Sequence, residues 1–93
     1  MIRIREKGMK FKHRNKGVCS SEVSFEIEDG KVHNVAFVGG CNGNLKAIGL
    51  LAEGRTPEEL VALLKGNTCG WKDTSCADQF ARGLENALLE LKK

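Results

Sequence analysis

The sequence has no apolar run near the roughly 18 residues that a membrane-crossing helix needs. No apolar segment of secretory type follows the charged N-terminus, so a cytosolic protein is expected. No internal repeat or low-complexity tract is visible, and no nucleophile stands out with His and Asp partners. Free-standing catalysis is therefore not expected. Histidine is scarce, with only His13 and His33, and both read as satisfied or edge residues. The paired Cys-x2-Cys of zinc ribbons is missing too, although the chain holds four cysteines.

What remains is a chain of 93 residues, 41% hydrophobic and 29% charged, which fits one small globular domain spanning 1–93. A core this small is marginal, and a bound metal would add to its stability. In the cytosol thiols stay reduced, so four cysteines favour metal or redox chemistry over two structural disulfides.

The net charge of +3 is unevenly placed. Residues 1–17 carry seven Lys/Arg and one acid, Glu6, whereas the rest carries eight basic and eleven acidic residues. Basic residues 3–16 have the charge to meet a phosphate backbone, which leaves nucleic acid open as a partner. The plainer reading is a solvated edge strand, since Phe11 is the only aromatic there and base stacking wants more.

Alternation of Met9, Phe11 and His13 with Lys10 and Lys12 predicts a strand over 9–13, with residues 1–8 extending it or fraying. Val23, Phe25 and Ile27 mark a strand over about 19–28, and a third covers about 31–38 after the turn signal Asp29-Gly30. A two-residue turn would pair 28 with 31 and send Val35 and Phe37 to the wrong face. A loop one residue longer, with Gly30 at positive φ, restores the match. Odd-numbered residues then share the core face, Cys19 and Cys41 among them, roughly 5–8 Å apart as cross-strand neighbours.

Gly39-Gly40-Cys41-Asn42-Gly43-Asn44 reads as a flexible turn into a helix capped by Asn44, with Leu45, Ile48 and Leu51 or Ala52 as its stripe. The loop resembles a phosphate cradle but lacks the P-loop lysine, and glycine flexibility around a ligand cysteine explains it better. Thr56-Pro57-Glu58-Glu59 is a capping box with proline at the first helical position, and Gly66 closes the short helix. Residues 67–74 form a loop with Cys69-Gly70-Trp71, where Trp71 would shield a site. A last helix to about 92 follows, with Phe80, Leu84, Leu88 and Leu91 as its stripe. The expected fold is α+β: a three-stranded antiparallel sheet against two or three helices.

Cys76 opens that helix four residues before Phe80, on the core side, where the helix dipole favours the thiolate form that binds metal. Cys69 lies in a loop free to fold back. Four thiolates, Cys19, Cys41, Cys69 and Cys76, match tetrahedral zinc or an iron–sulfur cluster. Buried cysteine as a small hydrophobe is the plainer alternative, and the spacing Cys-x21-Cys-x27-Cys-x6-Cys does not decide between them.

Gly17-Val18-Cys19-Ser20, Gly39 to Asn44, Cys69-Gly70 and Thr74-Ser75-Cys76-Ala77-Asp78 together resemble the TSCPD-domain family, over about residues 9–90. Its members are small bacterial proteins, and a similar module ends the vitamin-B12-dependent ribonucleotide reductases. Ala77 stands where the family name has proline. The likeness implies a ribonucleotide reductase as a partner, or a redox alternative in which Cys69 and Cys76 exchange thiol for disulfide. From Val18 to Leu91 the order of elements also resembles the NifU/IscU-type iron–sulfur scaffold proteins, with Cys19, Cys41 and Cys76 as the three scaffold cysteines. Ser21 and Ser75 stand where that family has aspartate and histidine, its labile ligands, and Cys69 supplies a fourth thiolate. The implied site is closed and retains its metal rather than passing on a cluster.

Overall fold

In the computed structural model, residues 9–40, 42–68 and 74–91 are described, with Asn42 as backbone only. Three strands, β1 (Met9–Arg14), β2 (Ser20–Glu28) and β3 (Lys31–Gly39), precede three helices, α1 (Asn42–Ala52), α2 (Pro57–Leu64) and α3 (Cys76–Leu91). The sheet is antiparallel in the order β1-β2-β3, and helices cover one of its faces. The fold is thus α+β, as the hydrophobic patterns predicted.

The turn differs from the expectation. Glu28 pairs with Lys31, so the loop has two residues, Asp29 at φ 52° and Gly30 at φ 76°. Two positive φ angles in succession suit the right-handed twist of the strands. The turn places Val32 inward, with no exposed surface. The missing residue is supplied further along β3. Glu26 pairs with His33, but Ser24 pairs with Ala36, so Asn34 and Val35 together face Phe25. This is a β-bulge, and it returns Val35 and Phe37 to the core side. Asn34 adopts φ 54°, a conformation asparagine tolerates better than most residues. Its backbone N–H, turned out of the ladder, donates to Glu53 Oε1 at 2.9 Å, and its Nδ2 donates to Glu26 Oε2 at 2.9 Å. His33 Nδ1 meets Glu53 Oε2 at 2.5 Å. The Asn34 N–H and then His33 hold the Glu53 carboxyl below its ordinary range.

The core is apolar and aromatic. Phe25 stacks on Phe11 with ring centroids 5.7 Å apart, and Phe80 of α3 meets Phe25 and Phe37 edge-on at 5.7 and 5.9 Å. Leu84, Ala52, Leu60 and Ala87 complete it. Of Leu51 and Ala52 in α1 it is Ala52 that points inward, with Leu45, whereas Leu51 is exposed. That helix starts at Asn42, two residues before the predicted cap. The α2 cap forms as the capping box requires: Thr56 Oγ1 accepts the Glu59 N–H at 3.2 Å, and Pro57 opens the helix. The chain after α1 is tied to the sheet, since Val32 N donates to Arg55 O and Gly54 N to Val32 O, each at 2.8 Å. At Gly83 a Cβ would lie 2.7 Å from His13 Cβ, so glycine is what lets α3 lie close on β1.

Candidate metal centre

Two of the four predicted ligands lie among the described residues, and the fold brings them together: Cys19 Sγ and Cys76 Sγ are 3.7 Å apart. Cys41 and Cys69, and Trp71 with them, lie outside the described residues. Cys76 is buried in the first turn of α3, and Cys19 sits at the rim, just before β2.

The route by which Cys19 arrives differs from simple strand parity. A second irregularity falls in β2, where Ser20 pairs with Gly39 but Glu22 pairs with Val38, leaving Ser21 as the extra residue. This bulge turns Ser20 inward, to 1% exposure, and leaves Cys19 on the exposed rim rather than the core face. Gly40 makes room there. It has φ +82°, and a Cβ on it would lie 3.0 Å from Cys19 Sγ and 2.9 Å from Leu45 Cδ1.

Several of the buried side chains around Cys76 are polar. Ser20 Oγ lies 3.0 Å from Cys76 Sγ, and Asn15 Nδ2 donates to Ser20 Oγ at 2.8 Å. Ser75 caps α3: its carbonyl accepts the Gln79 N–H at 2.8 Å and its Oγ accepts the Asp78 N–H at 3.1 Å. The same hydroxyl donates to Asn67 O. Asp78 is wholly buried, with one oxygen accepting the Gly66 N–H at 2.7 Å and the other accepting from Thr74 Oγ1 and Arg82 Nε. Burial alone pushes the Asp78 carboxyl up. The hydrogen bonds from Thr74, Gly66 and Arg82 outweigh it and hold the group below its ordinary value. Gln79 Oε1 lies 3.1 Å from His13 Nε2 and accepts the Lys16 N–H, so His13 is a satisfied residue of the β1–α3 junction.

The sequence reading missed Ser20, Asn15 and Asp78 as builders of this end. Ser75-x-x-Asp78 before an apolar stripe was a visible cap signal. Nothing local marks Asn15. Beside the two cysteines an open groove of about 260 Å³ is lined by Val18, Leu45, Ile48 and Ser75.

The run Thr74-Ser75-Cys76-Ala77-Asp78 is thus a helix start in which hydroxyl, hydroxyl, sulfur and carboxylate each hold a distinct place. The family model of the TSCPD domain matches residues 3–88. The chain belongs to the TSCPD domain family. In this TSCPD domain the alanine at 77 is buried at the second helical position and leaves the cap intact. No curated protein and no solved structure gives a significant match.

No helix among the described residues is long and apolar enough to cross a membrane. Arg14 and Lys10 face Glu22 and Glu26 across the β1–β2 ladder, so acidic neighbours offset part of the basic strand.

Proposed function

We propose that this chain is a small zinc-binding accessory module of the cytosol. Cys19, Cys41, Cys69 and Cys76 are its ligands, and an iron–sulfur cluster is the alternative occupant. The observation that carries this reading is the 3.7 Å between Cys19 Sγ and Cys76 Sγ. Two thiolates at about 2.3 Å from one zinc, at a tetrahedral angle, stand about 3.8 Å apart. The pair thus has the edge length of a tetrahedral zinc–thiolate site. The amide-rich start of α3 adds positive potential where thiolate charge would collect.

The module acts through a partner rather than by catalysis of its own. A ribonucleotide reductase is the first candidate, on the family likeness alone. Nucleic acid, held by basic residues 3–16, is the weaker candidate, because Glu22 and Glu26 stand opposite two of those residues.

The same separation supports a second reading, a redox protein related to ribonucleotide reductase. Cys76 would then pair with the adjacent Cys19 in place of Cys69. Two thiols would become one disulfide, giving two electrons and two protons to an acceptor disulfide on the partner, which becomes a dithiol. Metal analysis of protein purified with and without air separates the two. One zinc per chain with all thiols retained is the expected result. Metal-free protein carrying a reversible disulfide would overturn the zinc reading.

A further inference from the structure

We infer that Ser20, held in place by Asn15, is the positioning residue of the cysteine site, and that its hydroxyl donates to the Cys76 sulfur and aims it at the metal. The inference rests on the zinc reading above.

The β2 bulge decides which side chain faces Cys76. Without it, strand parity would point Cys19 inward and Ser20 outward. With Ser21 as the extra residue, Ser20 is the side chain that enters, 1% exposed and 3.0 Å from Cys76 Sγ. A hydroxyl has one hydrogen and two lone pairs. Asn15 Nδ2 donates into one lone pair at 2.8 Å, which leaves the Ser20 hydrogen for another acceptor. A metal-bound thiolate carries no hydrogen and can only accept, so the bond runs from Ser20 to Cys76. Asn15 is itself fixed by its backbone, whose N–H donates to Ser21 O at 2.9 Å across the bulge.

Asn15 also shows what it is kept for. Its side chain is buried, and its Oδ1 has no partner among the described residues. A buried oxygen left unpaired is unfavourable, and an apolar residue would avoid that penalty. The asparagine therefore earns its place through its donor, and that donor is spent on orienting one hydroxyl. Metal sites depend on such outer hydrogen bonds to orient their ligands, and losing one typically lowers metal affinity 10- to 100-fold.

The test is an anaerobic titration of the full chain with cobalt(II) alone, read by the sulfur-to-cobalt charge-transfer band. Ser20→Ala should weaken cobalt binding about 10- to 100-fold and move the band to longer wavelength, because a sulfur that loses a hydrogen bond gives up its electrons more easily. Ser20→Thr, which keeps the hydroxyl, should restore both affinity and band. Asn15→Ala should give a smaller change in the same direction. A Ser20→Ala protein with parental affinity and an unmoved band overturns the inference, as does a Ser20→Thr protein as impaired as Ser20→Ala. Should Ser20→Ala not fold, Asn15→Ala decides by the same band, and no shift counts against the proposal. Absence of any charge-transfer band in the parent chain would sink the zinc reading itself, and is seen before any variant is made.

Discussion

The two ends of the sheet are built on opposite principles. At the hairpin end the interior is apolar: Ile27, Val32, Ala52 and Leu60 are buried beside the Phe25–Phe80 contact. At the cysteine end, the buried polar residues among those described gather together: Asn15, Ser20, Thr74, Ser75, Asp78 and Gln79. Burying polar groups is unfavourable unless each finds a partner, and here nearly every one does. One end supplies stability through apolar burial. The other spends part of it to hold two sulfurs and a helix start in a fixed arrangement, the pattern expected where a fold carries a site.

The largest effect should come from the apolar end. Phe80→Ala removes a fully buried ring that touches two others and should cost about 3–5 kcal/mol in denaturant unfolding. It should do so equally with and without zinc if the ends act separately. Next, free zinc at 100 times Kd should stabilise the parent chain by about 2.7 kcal/mol. Cys19→Ser and Cys76→Ser should each abolish that gain while changing the metal-free chain far less.

Asp78→Asn should cost about 1–3 kcal/mol, since a neutral amide cannot accept equally from Gly66, Thr74 and Arg82. Its pH dependence has a definite sign. The folded carboxyl titrates below its unfolded value of about 3.9, so its contribution is complete above that pH. The contribution fades as the pH falls through the folded value, and Asp78→Asn should flatten that acid limb of the stability curve. Gly40→Ala should be the mildest, about 1–2 kcal/mol for the positive φ, and its Cβ would press on Cys19 Sγ. Its zinc affinity should fall while the hairpin-end core, followed by amide exchange, stays as protected as in the parent.

The same division governs what could be read from the sequence. The apolar end was legible because its signals are local and periodic: alternation in Val23, Phe25 and Ile27, the Thr56–Glu59 capping box, and the Phe80–Leu84 spacing. Even there the position of the extra residue was not. Turn chemistry alone places it at Asp29-Gly30, but Glu53, nineteen residues from Asn34, stabilises it as a bulge instead. At the cysteine end, helix position predicted Cys76 correctly, whereas parity put Cys19 on the core face and a bulge at Ser21 moved it to the rim. Asn15 and Ser20 act on a sulfur more than fifty residues away, and Asp78 takes a hydrogen bond from Gly66. The Ser20–Cys76 pair lies beyond any local pattern, and the Gly66–Asp78 bond crosses a stretch of sequence that carries no periodic signal.

The most direct test of the central claim is X-ray absorption at the zinc edge on the zinc-loaded protein. One zinc per chain with four sulfur neighbours at about 2.3 Å is the expected result. Zinc that is not retained, or a first shell of oxygen and nitrogen with fewer than two sulfurs, would contradict it.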